Sequence, residues 1–91
     1  KGLVFISDDQ GRTWPRYGVS FDGDPEGLIH WEQSTVPLGS DDVFSIAWVY
    51  HPDSGRHLPN RYALSHDGGE TWGPPREAGL EGQTCKAVRL R

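Results

Sequence analysis

Two carboxylates sit in matching surroundings. Asp9 lies in Ser7-Asp8-Asp9-Gln10-Gly11-Arg12-Thr13-Trp14, and Asp67 in Ser65-His66-Asp67-Gly68-Gly69-Glu70-Thr71-Trp72. Both stretches read Ser-x-Asp-x-Gly-x-Thr-Trp, 58 residues apart. A carboxylate two residues after a serine and four before a threonine can accept turn N–H and hydroxyl bonds. Gly11 and Gly69 can supply the positive φ a tight bend needs. Thr13 and Thr71 suit a return to extended backbone, and Trp14 and Trp72 offer apolar lids whose indole N–H needs a partner. The chemistry these ten residues favour is the bracing of a β-hairpin rather than a reaction.

Other chemistry-bearing groups are sparser. Asp22, Asp24, Glu26, Gly27 and Ile29 fall at positions one, three, five, six and eight of a calcium-loop pattern. Position twelve is Gln33, Pro25 interrupts, and no flanking helices are expected, so this stretch reads as a solvated loop. His30, His51, His57 and His66 lack metal-ligand spacing. Cys85 is the single cysteine, which rules out an internal disulfide and reads as a half-buried strand residue. No phosphate-binding glycine loop, Gly-x-Ser-x-Gly elbow or Cys-x-x-Cys occurs. No cofactor and no metal are expected.

The elements that would position these residues are short strands. Residues 3–7 and 61–65 read as strands, their apolar runs 3–6 and 62–64 leading into the two octapeptides. Return strands are expected from Thr13 to about Tyr17 and from Thr71 to about Glu77, each an edge because of Pro15 or Pro74-Pro75. Residues 28–37 have strand character, 39–42 a turn, and 43–50 (VFSIAWVY) form the most apolar run, expected to be buried on both faces. Residues 51–56 read as a turn and 83–90 as a further strand. Twelve glycines, seven prolines and four tryptophans in 91 residues fit an all-β fold. A repeated pattern at one interval indicates repeat architecture.

The octapeptides match the Asp-box, or BNR repeat, and the chain resembles the sialidase-like family. That resemblance implies an antiparallel four-stranded β-propeller blade, with the Asp-box joining third and fourth strands. About one and a half blades are covered: 1–20 the end of one, 28–78 a complete one, 83–91 the first strand of the next. In that family the boxes are peripheral and the ligand channel is lined by innermost strands. The resemblance therefore nominates Glu32, Arg89 and Arg91 as ligand contacts, an arginine fork being matched to a carboxylate. The family's arginine triad, Tyr/Glu nucleophile pair and aspartate acid/base cannot be placed here by motif, and Tyr17, Tyr50 and Tyr62 are better explained as strand packing.

A chain of this length buries only a thin core, and a lone blade leaves sheet faces and edges open. With no methionine, the chain reads as an excerpt, an incomplete gene product or a piece that assembles with its own copies. The favoured expectations are a self-associating unit, a trimer approximating six blades, or a carbohydrate- or protein-binding propeller unit. The alternative is part of an active sialidase-like glycoside hydrolase. A net charge of −4 argues against nucleic acid. No signal peptide or membrane-length apolar stretch is present, so a soluble piece of unknown compartment is expected.

Overall fold

The computed structural model describes residues 1–90 as an all-β chain with two antiparallel sheets. The first pairs β1 (Gly2–Ile6) with β2 (Arg16–Phe21). The second is a meander in the order β3 (Ile29–Gly39), β4 (Asp42–His51), β5 (Arg56–Ser65) and β6 (Arg76–Glu77). A 3-10 turn over Asp24–Glu26 joins the sheets. Among the described residues no helix is long and apolar enough to cross a membrane.

The expected strands recur with informative shifts. The first return strand begins at Arg16, not Thr13, and runs to Phe21. Thr13 gives its N–H to Asp9, and Pro15 has none, so the ladder starts with Ile6 opposite Arg16. The second return is only Arg76–Glu77, again just beyond prolines. Each octapeptide is thus a wide connection between strands rather than a two-residue hairpin turn.

The strand expected over 83–90 is absent: those residues carry no sheet pairing. A strand exists only with a ladder partner. Here the segment is held by side chains instead, the Ala87 N–H donating to Ser34 Oγ at 3.1 Å. It runs past Val36, Phe44 and Ile46, with half-buried Cys85 among its groove-lining residues.

The sheets pack face to face. Along β4, Ser45, Ala47 and Val49 are fully buried, Ala47 against Phe21 of β2, whereas Phe44, Trp48 and Tyr50 on the other face are half-buried. Burial on both faces is therefore unequal. Phe21, Ala47 and Ala63 form the centre, and Trp72 packs against them. Gly18 permits this closeness, because a Cβ there would overlap the Gly69 carbonyl oxygen and lie 2.9 Å from that of Glu70. Val4 and Ile6 flank Gly69 on the same seat.

A polar bridge fixes the register of one sheet on the other. Gln33 Nε2 donates to the Leu3 carbonyl at 2.7 Å, while Gln33 Oε1 accepts from the Ser20 and Ser45 hydroxyls at 2.7 and 3.0 Å. Gln33 thus ties β1, β2 and β4 together from within β3. The cost of leaving such buried hydroxyls unpaired is what makes the arrangement specific.

Candidate functional site

The octapeptides have the same internal chemistry. In the first, the Ser7 hydroxyl donates to Asp9 at 2.8 Å and accepts the Gly11 N–H at 2.8 Å. Asp9 also accepts the Thr13 N–H at 2.8 Å and the Thr13 hydroxyl at 2.6 Å. In the second, Ser65 donates to Asp67 at 2.8 Å and accepts the Gly69 N–H at 2.9 Å. Asp67 accepts the Thr71 N–H at 2.9 Å and the Thr71 hydroxyl. Both bends need consecutive left-handed residues, Gln10 and Gly11 (φ 61° and 88°) and Gly68 and Gly69 (φ 74° and 97°). Each carboxylate is saturated by its own turn, which suits bracing and leaves little capacity for a ligand.

They differ in what surrounds them. The Trp72 indole N–H donates to the Gly69 carbonyl at 2.8 Å, and the ring closes on the core. Trp14 is 55% exposed beside Phe5, also 55% exposed, and Tyr17, 61% exposed. Arg16 joins the octapeptides by pairing with Asp8 at 2.6 Å and with Glu70.

The nominated ligand contacts do not converge. Glu32 sits at a register shift in β3 with φ 50°, and its carboxylate accepts the Thr84 hydroxyl at 2.9 Å. The Arg89 guanidinium instead lies beside Gly39, at the far end of β3. Seven residues of strand separate them by roughly 23 Å, so they do not form one carboxylate clamp in this chain. Arg91 lies outside the described residues. In the loop of the calcium pattern, Glu26 is bound by Arg61 at 3.0 and 3.2 Å, Asp24 faces Lys1 at 3.5 Å, and Asp22 accepts the Asp24 N–H.

Three features escaped the sequence reading. Asn60, fully buried on β5, exchanges two bonds with the Gly82 backbone, at 3.0 Å to its carbonyl and 3.1 Å from its N–H. Its own N–H and carbonyl bond Leu80 and Ala78. A run of rings from Trp31, Trp48, Tyr50 and His57 gathers on the outer face of the second sheet. The signal available for it was the alternation Phe44, Ile46, Trp48, Tyr50, one face of a strand. The third is His30, buried and stacked on Phe21 at 4.9 Å with neither ring nitrogen bonded.

Burial, aided by Arg61, pushes the His30 pKa down to about 4 against partial opposition from Glu26 and Asp22. The unfolded chain takes up this proton near 6.5 and the folded chain does not. Stability therefore falls as pH drops through 6.5, and that loss saturates near 4. Asp9 and Asp67 behave differently. Hydrogen bonds from Thr13 and Thr71, then Ser7 and Ser65, hold their carboxyls at about 2. Their contribution is complete above the ordinary 3.8 and is lost as pH falls toward 2. The variant His30→Phe should abolish the decline between pH 6.5 and 4 and keep the one below it. Urea midpoints at pH 8, 5 and 3 check this.

No protein-family model, no curated protein and no solved structure matches the chain.

Proposed function

We propose that the chain is a self-associating unit of an Asp-box β-propeller, sialidase-like in architecture and without a catalytic set of its own. The observation that carries this reading is the contrast between the two tryptophans. Trp72 is partly buried because it packs against the core between the sheets, and Trp14 is more than half exposed on a face with no such cover. Leu3, Phe5, Trp14, Tyr17 and Val19 all lie exposed on or beside β1–β2, more large apolar surface than so small a hairpin would keep for solvent. The meander β3–β6, with its octapeptide between third and fourth strands, supports the blade reading. So does the matching octapeptide between β1 and β2.

In the proposed assembly a second copy covers the bare face. Residues 83–90, free of sheet pairing here, extend the β1–β2 edge of a neighbour, and three copies approximate a six-bladed ring. Heterologous contacts of this kind close when the rotation per copy permits. The separation of Glu32 from Arg89 favours assembly over catalysis as the role of this chain.

Sedimentation equilibrium should show a concentration-dependent mass above that of the monomer, which Phe5→Lys reduces to the monomer. A well-folded wild-type monomer at all concentrations overturns the proposal, as does turnover of a fluorogenic sialoside by this chain.

A further inference from the structure

The 58-residue interval of the octapeptides extends to the ladders that flank them. Val4 pairs with Gly18 and Leu3 with Val19, while Tyr62 pairs with Arg76 and Arg61 with Glu77. The β1–β2 and β5–β6 pairs are therefore one hairpin built twice, in the same register. Equal register puts equivalent residues on equivalent faces, because side chains alternate along a strand.

Each hairpin thus has a front and a back. The front carries Phe5 and Trp14 in the first hairpin, and Ala63 and Trp72 in the second. The second front is covered: Ala63 and Trp72 pack with Phe21 of β2, and Gly69 is buried. The first front is open: Phe5 and Trp14 line one exposed surface, and Gly11 is exposed as well. The back of the first hairpin carries Val4, Ile6 and Gly18, which seat Gly69. Their equivalents on the second are Tyr62, Leu64 and Arg76, and these line an open groove of about 290 Å³. One chain therefore holds a filled joint between its two hairpins and an unfilled half of the same joint at either end.

We propose that copies associate by repeating this internal joint. The front of one copy's β1–β2 hairpin seats on the back of another's β5–β6 hairpin, with the neighbour's Gly11 bend over Tyr62 and Leu64. The inference rests on the self-association reading and names the surface it uses. Residues 85–88 run along the same face beside Phe44 and Ile46, the ladder partners of Leu64 and Tyr62. The seated hairpin therefore lies next to the tail. Front meets back, so the contact is heterologous and can be passed from copy to copy.

The differences between the two joints set its strength. Internally, the large Phe21 meets the small Ala63. Between copies the sizes exchange, since Gly79 stands at the place of Phe21 and Phe5 at that of Ala63. Two changes are adverse. Arg76 replaces Gly18, whose missing Cβ admits the Gly69 carbonyl. Arg12 and Pro74 replace Glu70 and Arg16, whose ion pair fastens the internal joint. The contact between copies is accordingly weaker than the one within the chain.

Two measurements on the full chain test this. The first mixes a chain carrying Arg12→Cys with a chain carrying Arg76→Cys, both also Cys85→Ser, under mild oxidation. In the internal joint the equivalent positions are close, a Cβ on Gly18 lying 2.9 Å from the Glu70 carbonyl oxygen. The mixture should form a disulfide-linked dimer, and neither chain alone should do so. The second is sedimentation equilibrium of Arg76→Gly, which should associate roughly tenfold more tightly than the wild type. Phe5→Lys should abolish both signals. If the wild type associates but the mixture does not cross-link, this seat is wrong and self-association stands. Unchanged or weakened association of Arg76→Gly has the same meaning. Cross-linking of either chain with itself makes the contact isologous and also overturns the proposal. A wild-type monomer at all concentrations removes the seat and the assembly together.

Discussion

Gly18→Ala should be among the most damaging single substitutions, lowering the unfolding free energy by about 3 kcal/mol. The reason is geometric. The added methyl would overlap the Gly69 carbonyl oxygen and press on that of Glu70, and both obstacles are backbone. Neither can turn aside as a flexible side chain would. The Gly69 carbonyl also accepts the Trp72 indole N–H, so displacing it disturbs the lid of the core as well. Urea denaturation measures the loss. Hydrogen exchange should show β1–β2 amides opening first, because the substitution separates that pair from the second sheet without touching its own ladder. Retention of wild-type stability would mean that the two sheets do not pack this closely.

Trp72→Ala and Trp14→Ala should differ sharply although the residues occupy the same place in the repeated octapeptide. Trp72 packs on Phe21, Ala47 and Ala63, so its truncation leaves a cavity and should cost about 3 kcal/mol. Trp14 has half its surface in solvent, and its truncation should change the stability of the isolated fold by less than about 0.5 kcal/mol. Under the proposed assembly the order reverses for association: Trp14→Ala should weaken it while leaving each copy folded. Paired denaturation and sedimentation measurements of the two variants check both halves. Equal destabilisation by both would remove the contrast on which the assembly proposal rests.

The sequence was most legible where local chemistry decides the outcome. The ligand pattern of Asp9 and Asp67, the left-handed glycines and the strand-breaking prolines depend on neighbours within eight residues, and all are visible in a single line of text. The four-strand meander from Ile29 to Glu77 was legible for a related reason, since two of its connections are short turns and the third carries the octapeptide itself. Legibility ended where the outcome depends on a partner distant in sequence. Residues 83–90 have strand composition, yet composition cannot supply a ladder, and the segment lies unpaired against Ser34 and Glu32. Glu32 and Arg89 both carry plausible ligand groups, but whether two side chains meet is a matter of position along β3, and these are at opposite ends. Gln33 read only as a failed twelfth position of a calcium loop. Its bridge to Leu3, Ser20 and Ser45 exists because a register shift in β3 delivers it to the seam between sheets.

Asn60 stitches the backbone of residues 78–82 to the middle of β5, whereas the tail after it is tethered through single side-chain bonds at Thr84 and Ala87. Any outward swing of the tail therefore pivots just after Gly82. The cleft between Trp48, His57 and Leu58 on one side and residues 81–83 on the other therefore has one fixed jamb and one that moves. Departure of that segment to a neighbouring copy would widen the gap without disturbing the sheet beneath it.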